Sequence, residues 1–439
     1  MGVPLLRQTT LTSVEGHAEI FPRAQDEASP NGPGVDAPRD DRTELLLALG
    51  RGLHQAGLPS DSLEETLRAV ASACGVALEV NVLPTSLTLA VGASFEQRLV
   101  ILRLEPGRLH LRKLALLDGV VGAVRRGRDP SAALADVVMI DVEVKADPPA
   151  ITIAAYALLS CGAAVLLGGA TADVVVSGLV GIAIGAIGAA AQRSRRVDRI
   201  FEVSAAFVAT VIIGLWEHFA GPIALYVTLI AGVVQLLPGY TLTTALNELA
   251  NRNLVSGTAR LGGVFVTLLS LTCGFALAAG LSGNAILNGP TVSGGHTTAY
   301  STTIAAVLMA LGIALILHAR YRDVGWIVAS CVATVALARF FPLFGITQAS
   351  PFATAFVIGL ATNLAARYLR IPQAVVLVPG LLVLVPGSLS YESLLYVFQA
   401  DATDAVSLAV RALLAAILIV AGFLTSQLVA PPPRRAGAR

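Results

Sequence analysis

Charge is scarce in this sequence, and the scarcity is confined to one part of it. Only 13% of the 439 residues are Asp, Glu, Lys or Arg, whereas 55% are hydrophobic. Soluble domains carry roughly 25% charged residues, so the composition excludes a purely soluble protein. Charged residues occur at ordinary density over 1–147 and become rare over 150–429. This contrast predicts a soluble N-terminal part followed by a membrane part with many spans.

Cysteine is scarce too, and its spacing forms no metal or redox motif. Cys74, Cys161, Cys273 and Cys331 are far apart, and none belongs to a CxxC or Cys/His pattern. We therefore expect no disulfide, no metal and no other cofactor. The net charge of +1 comes without a basic-aromatic patch, so we expect no nucleic-acid partner. The sequence also lacks a Walker A glycine-lysine motif and a nucleophile elbow, so we do not expect an enzyme.

The soluble part divides into a tail and a small domain. Residues 1–40 mix Pro, Gly, Asp, Arg and Ser without periodicity, which predicts a disordered tail. From Asp41 to residue 147 the pattern is that of an α/β domain. Leucines at helical spacing begin it, short alternating segments at 76–82, 85–91 and 98–104 predict strands, and helices are expected at 113–126 and 130–140.

The membrane part contains ten apolar runs, most of them close to the ~20 residues that cross a bilayer. The runs are 150–170, 172–191, 200–219, 221–237, 261–281, 298–318, 324–341, 350–368, 372–386 and 405–428. Lys and Arg occur in the connections 192–199, 238–260, 319–323 and 369–371 and in the basic tail 431–439, but not in the alternate connections. The positive-inside rule therefore places both termini in the cytoplasm.

Two of these runs are short, and both end in Pro-Gly. Pro238-Gly239 is followed 148 residues later (386 − 238) by Pro386-Gly387, and Gly274-Phe275 matches Gly422-Phe423 at the same offset. Five spans is an odd number, so a second copy enters the membrane from the opposite face. We predict a mostly α fold of ten spans in two inverted repeats, 148–281 and 298–430, with the two breaks around one cavity.

The polar residues after each break are the candidate substrate-binding residues. They are Pro238, Gly239, Thr241, Thr243, Thr244 and Asn247 at the first break, and Pro386, Gly387, Ser388 and Tyr391 at the second. Glu248 is the candidate for proton coupling, since intramembrane carboxylates mark proton relays. The alternatives are that 238–260 is a cytoplasmic linker with Glu248 in solvent, and that the second break is an outside loop.

Several stretches resemble the threonine/serine exporter family. They are LLLALGRGLHQAGLPSDSLEETLRAVASACGV (45–76), LPTSLTLA (83–90), RLVILRLEPGRLHLRKLALLDGVVGAV (98–124), and LLPGYTLTTALNELANRNLVSGTARLGGVF (236–265). Segment 378–423 is similar to the family's smaller C-terminal partner module, which is a separate protein in some members. The resemblance implies a motif at Pro238, Gly239, Glu248, Ser256, Gly257 and Arg260. The family more often has Asp where this chain has Glu248.

The resemblance implies a proton-coupled secondary transporter of the plasma (inner) membrane that exports threonine, serine or similar small neutral amino acids. Its expected partners are the substrate, protons and the lipid bilayer, and a homo-oligomer is possible. Two other classes stay open at this stage, besides a transporter of another small metabolite. One is a passive channel gated by the soluble domain, because inverted repeats also occur in channels. The other is a membrane-anchored enzyme using Asp118, His54 and His110.

Overall fold

The protein is described here by a computed structural model covering residues 40–92, 97–104, 107, 109–144, 148–281, 298–369, 371–384, 387, 389, 391, 393 and 402–431. The chain divides into two units, and the architecture below is that of the unit from Asp41 onward. The predicted tails 1–40 (except Asp40) and 431–439 (except Pro431) lie outside the described residues.

Four helices and one sheet form the small α/β part. The elements are α1 (Asp41–Gln55), α2 (Ser60–Ala73), β1 (Leu78–Leu83), β2 (Ser86–Val91), β3 (Arg98–Arg103), α3 (Leu111–Arg125) and α4 (Pro130–Glu143). The three strands are antiparallel in the order β1-β2-β3, and Val80, Leu89 and Val100 lie side by side. Alternate strand residues and the leucines of α1 and α2 share one core. The predicted strands and helices are confirmed within a few residues.

Helices form at all ten apolar runs, with two further helices between them. They are α5 (Pro149–Leu166), α6 (Thr171–Ala191), α7 (Arg195–Asp198, the short one), α8 (Phe201–Ala220), α9 (Leu225–Val233), α10 (Gly239–Ala250), α11 (Leu254–Leu281), α12 (Ala299–Ile316), α13 (Val324–Leu343), α14 (Ser350–Tyr368), α15 (Gln373–Leu384) and α16 (Ala402–Val429).

The expected ten spans are only partly confirmed. Among the described residues, seven helices are long and apolar enough to cross a membrane, or eight if a bent pair is one span. Helix α14 is less apolar because Asn363 and Arg367 interrupt it, and α15 has 12 residues. The described part of α15 ends at Leu384, next to residues outside the description, and its 12 residues reach roughly 18 Å at 1.5 Å per residue, against ~30 Å for the hydrocarbon core.

The stretch 238–260, expected to be a polar connection, is almost entirely helical. Helix α9 tightens into a 3₁₀ turn at Val234–Leu236, the chain bends by 58° at Leu237 and Pro238, and α10 starts at Gly239. Helix α11 then starts at Leu254, seven residues before the expected 261. Proline fits this start because the first turn of a helix needs no intrahelical N–H donor. The break is therefore a sharp bend between two helices.

The same contacts recur in the two halves of the membrane part. A Cβ on Gly162 of α5 would lie 2.8 Å from the Ala305 carbonyl oxygen of α12, and a Cβ on Gly312 would lie 2.9 Å from the Ala155 carbonyl oxygen of α5. The glycines are 150 residues apart (312 − 162), and so are the two carbonyls (305 − 155). Such reciprocity is what a two-fold relation between the helices produces.

A second pair of equivalent contacts lies further from this crossing. Gly274 of α11 packs against the backbone of α8, and Gly422 of α16 packs against the backbone of α14. The added Cβ would overlap the Val203 carbonyl oxygen in the first case and the Phe352 carbonyl oxygen in the second. Both glycines therefore permit helix backbones to touch, as small residues commonly do in membrane bundles. These contacts support a repeat; its inverted membrane topology stays a prediction.

Candidate functional site

The two Pro-Gly breaks meet at their glycines. A Cβ on Gly387 would lie 3.2 Å from the Leu237 Cβ and 3.4 Å from both the Cα and the amide nitrogen of Gly239. Gly239 and Gly387 are equivalent positions, since 387 − 239 gives the same offset of 148. Each break thus places a residue without a side chain where the other backbone approaches. Pro386 and Ser388, the neighbours of Gly387, lie outside the described residues.

A cavity of about 200 Å³ lies beside this contact and is called the central cavity below. Most of its lining comes in pairs of equivalent positions, one from each half. The pairs are Leu159 with Met309, Ala163 with Ile313, Leu166 with Ile316, Leu167 with Leu317, Val234 with Leu382, Gln235 with Val383, and Gly239 with Gly387. The cavity therefore lies on the axis that relates the two halves.

Gln235 is the one polar side chain among these pairs, and its neighbours hold it in place. Its Nε2 donates to the Gly232 carbonyl oxygen at 2.9 Å. The Ser160 hydroxyl donates to the same carbonyl at 3.2 Å and lies 3.5 Å from Gln235 Oε1. The carbonyl of Gly232 is close to the helix break, where the regular i to i+4 bonds of α9 end. Side-chain donors there replace part of the interrupted ladder.

A larger cavity of about 430 Å³, called the vestibule below, adjoins the central cavity. The two share Gln235, Leu237 and Tyr240. Residues of the α/β part line one side of the vestibule, and the membrane helices supply the predicted residues Pro238, Thr241 and Thr244 together with Glu202 and Arg260. The vestibule thus connects the central cavity with the α/β part of the chain.

His54 of α1 reaches the vestibule from the soluble side. It is 6% exposed, and its Nε2 lies 3.2 Å from the Leu83 carbonyl oxygen. Its Nδ1 has no hydrogen-bond partner among the described residues. Burial lowers the pKa of His54 below its ordinary value of 6.5, against the opposite effect of the bond to Leu83, and the Arg260 cation lowers it further. The ring therefore favours the neutral form.

Glu248 is fully buried, so the alternative that it lies in solvent on a linker is wrong. Its Oε2 accepts from Arg260 Nε at 2.9 Å and from the Ser256 hydroxyl at 2.9 Å. The Ser256 hydroxyl is also 3.0 Å from the Ser60 hydroxyl of α2, where either oxygen could donate. Glu248 Oε1 has no partner among the described residues. One carboxylate oxygen is thus hydrogen-bonded and the other is not. Glu248 lines none of the three cavities.

The spacing of the Ser-Gly-x-x-Arg motif follows from this arrangement. Ser256 and Arg260 are four residues apart, which places them on one face of α11 toward the Glu248 carboxylate. Gly257 sits between them, and a Cβ there would lie 2.9 Å from the Ala245 carbonyl oxygen of α10. The glycine therefore lets α10 and α11 approach closely enough for the carboxylate to reach both partners.

The remaining predicted residues are distributed between other surroundings. Thr243, Thr244 and Asn247 line a third cavity of about 260 Å³ on another side of α10. The Thr243 hydroxyl donates to the Gly239 carbonyl oxygen at 3.2 Å. Tyr391 is fully buried within a core cluster, lines none of these three cavities, and does not lie in an exposed loop. The structure thus places Gly387 of the second break in contact with the first break, whereas Tyr391 lies in the core away from the three cavities.

Sequence reasoning missed the residues that join the break to its surroundings. Gln235 and Tyr240 flank the break and line both adjoining cavities; an amide inside an apolar run was the available signal for Gln235. Ser60 carried no such signal, because its contact with Ser256 spans 196 residues of sequence. Asp173 of α6 is buried and accepts from the Ala224 amide at 2.8 Å.

The soluble part also contacts the second half of the membrane part. The imidazole rings of His110 and His318 are stacked with centroids 4.3 Å apart. Next to them, the Leu111 amide donates to the Leu317 carbonyl oxygen at 2.8 Å. The α/β part is therefore attached to both halves, to the first through Ser60 and to the second through α3.

Several apolar helices, a broken span and a cavity at the break together define a multi-pass membrane protein with the features of a transporter. Residues 44–282 match the family model described as a putative threonine/serine exporter, and residues 302–429 match the one described as threonine/serine exporter, ThrE. The chain belongs to the threonine/serine exporter family, as the resemblance implied. No curated protein and no solved structure matches it.

Proposed function

We propose that this protein is a secondary transporter that exports threonine, serine or similarly small neutral amino acids by alternating access around its two helix breaks. The observation that carries the proposal is the contact of Gly239 with Gly387 beside a cavity lined by equivalent positions of the two halves. Alternating access in inverted-repeat transporters moves one half against the other around a fixed central site. A cavity on the axis between the halves is where such a site belongs.

The size of the central cavity suits a small substrate. Pockets for drug-sized ligands have volumes of roughly 300–1,000 Å³, whereas this cavity has about 200 Å³. An amino acid with one or two side-chain carbons is of the appropriate size. Gly239 and Gly387 expose backbone to the substrate, Gln235 and Tyr240 supply side-chain polar groups, and the vestibule with Thr241 and Thr244 is the path to the cytoplasm.

We assign proton coupling to Glu248. Its Oε1 lacks a partner among the described residues, so it can accept either a proton or an N–H of the substrate ammonium group. A protonated carboxyl group has lost the negative charge that attracts an ammonium group, so proton and substrate compete for Glu248, which is the requirement for antiport. The Arg260 guanidinium pairs with the carboxylate and covers it in this conformation. Exposure of Glu248 to the vestibule requires α10 to shift against α11.

The membrane arrangement that goes with this function has ten spans in two inverted repeats. The reciprocal contacts of Gly162 and Gly312 and the equivalent contacts of Gly274 and Gly422 support the repeat. The arginines at 193–199 and in the other alternate connections support cytoplasmic termini. In this orientation the vestibule opens on the cytoplasmic side, and the protein acts in the plasma (inner) membrane.

Counterflow in proteoliposomes tests the proposal. Vesicles loaded with unlabelled threonine should accumulate labelled threonine transiently, and an imposed pH gradient should change efflux. Glu248→Gln keeps the shape and the bond to Ser256 but removes the titrating group, so pH-driven efflux should be lost. Glu217→Gln, a carboxylate of α8 that lines none of the three cavities, is the matched control and should behave as the wild type.

The outcomes separate the competing functions. A passive channel equilibrates label but cannot drive counterflow, so leakage without transient accumulation would favour the gated channel. Unimpaired pH-driven transport in Glu248→Gln would remove Glu248 from the coupling mechanism while leaving the transporter. A wild type that moves neither threonine nor serine but moves another small metabolite would correct the substrate alone.

A further inference from the structure

The central cavity is symmetric in the positions that line it but not in their polarity. Six of its seven pairs match an apolar residue with another apolar residue, or glycine with glycine. The exception is Gln235, whose equivalent 148 residues later (383 − 235) is Val383. One half of the cavity therefore offers an amide where the other offers a branched alkyl group.

The support for the amide is equally one-sided. Ser160 donates to the Gly232 carbonyl that Gln235 Nε2 also reaches, and its hydroxyl lies beside Gln235 Oε1. The position equivalent to Ser160 at the α5-to-α12 offset of 150 is Ala310, which has no polar group. Gln235 retains a second N–H and a second lone pair on Oε1 beyond these bonds. A fixed amide thus presents one donor and one acceptor to a chamber in which Tyr240 is the other lining residue with a polar side chain.

We infer that Gln235 is a specificity-determining residue, which binds the side-chain hydroxyl of the substrate while the Val383 half of the cavity holds the alkyl part. This inference rests on the proposed function and assigns to Gln235 the recognition of the hydroxyl that serine and threonine share. An apolar pocket alone separates an alcohol from its methyl isostere by only about 10²-fold at best. A site that hydrogen-bonds the hydroxyl rejects the isostere strongly, because the site's own polar group is left unpaired.

Pairs of amino acids with and without the hydroxyl measure this preference directly. Wild-type protein in proteoliposomes should favour threonine over valine, and serine over alanine, in the ratio of kcat/KM values for counterflow. Gln235→Leu should lower the threonine-to-valine ratio by roughly tenfold or more. Gln348→Leu removes a glutamine from an exposed turn outside the three cavities and should leave the ratio unchanged. An unaltered ratio in Gln235→Leu would overturn the inference.

The two-fold relation provides a second, independent variant. Exchanging the pair, with Gln235→Val and Val383→Gln together, moves the amide to the other half of the same chamber. The threonine-to-valine ratio should recover at least in part relative to Gln235→Val alone, because the hydroxyl regains a partner. If the exchange leaves the ratio where the single variant has it, the assignment of the hydroxyl to this pair of positions is wrong.

A binding measurement covers variants that fail to transport. Unlabelled valine competes with labelled threonine for binding to purified Gln235→Leu and Gln235→Asn protein. This competition gives the threonine-to-valine preference as a ratio of affinities, without turnover. Asparagine retains the amide one methylene shorter and should stay closer to the wild type than leucine does; the opposite order would overturn the inference. A wild type that shows neither counterflow nor binding of threonine or serine would refute the proposed function, and this inference with it.

Discussion

Removing Arg260 should destabilise the protein far more than removing its partner Glu248. The reason is the unequal exposure of the two groups. The Glu248 side chain is 0% exposed, whereas the Arg260 side chain is 23% exposed and lines the vestibule. Arg260→Met leaves a buried carboxylate with only the Ser256 hydroxyl to stabilise its charge. Glu248→Gln leaves a guanidinium that water in the vestibule can reach.

The expected magnitudes differ accordingly. Breaking a buried pair and leaving one charge behind costs about 3–5 kcal/mol, which is the expectation for Arg260→Met. Losing a hydrogen bond to a charged group costs roughly 1.5–3 kcal/mol, which is the upper range for Glu248→Gln, since glutamine keeps the Ser256 bond. The double variant, Glu248→Gln with Arg260→Met, removes both charges and should be more stable than Arg260→Met alone.

Thermal unfolding of the purified protein in one detergent, at one scan rate, compares the four forms. Apparent Tm should fall in the order wild type, Glu248→Gln, double variant, Arg260→Met, with the two middle forms close together. The reasoning would be refuted if Arg260→Met were no less stable than Glu248→Gln. It would also be refuted if the double variant showed the plain sum of the two losses, because the energies of contacting charges are not additive.

Two further predictions concern the α/β part and the helix crossing. Because burial lowers the folded-state pKa of His54 below 6.5, its contribution to stability is present above pH 6.5 and is lost as the pH falls through that lowered pKa. Apparent Tm measured from pH 8 to pH 5 should therefore fall less steeply in His54→Gln; an identical slope would contradict this. Gly162→Ala and Gly312→Ala should each lower the free energy of unfolding by roughly 1–3 kcal/mol through overpacking. Gly262→Ala, with nothing within 4 Å of the added Cβ, is the control and should not lower it. A marked difference in apparent Tm between Gly162→Ala and Gly312→Ala would argue against the two-fold relation.

Local patterns predicted most of the elements but not the path of the chain at the break. Apolar runs and alternating strands depend on neighbouring residues, so their positions were recovered within a few residues. Helix α10 was missed because threonine and asparagine have modest helix propensity and a Pro-Gly pair precedes them. Burial of Leu242, Ala245 and Glu248 at spacings of three residues stabilises the helix, and that burial depends on distant partners.

The candidate site was predictable only where a residue is unusual for its surroundings. A carboxylate shortly after the Pro-Gly break identified Glu248, and the resemblance added Ser256, Gly257 and Arg260. The partners of Glu248 could not be inferred from the break itself, since the pairing depends on how α10 folds back on α11. The contact of Gly239 with Gly387 followed from the repeat, whereas Tyr391 shared the second break yet lies in the core.

The turn after α12 bears on how the two halves of the membrane part can move against each other. His318 has φ of +50°, and the equivalent position 150 residues earlier (318 − 150) is Gly168 with φ of +84°. A histidine in a conformation that favours glycine is explained by its stacking on His110 of the soluble part. Together with the contact of Ser60 to Ser256, this stacking attaches the α/β part to both halves of the membrane part. If one half moves against the other during transport, either the Ser60–Ser256 contact or the His110–His318 stacking has to break in every transport cycle.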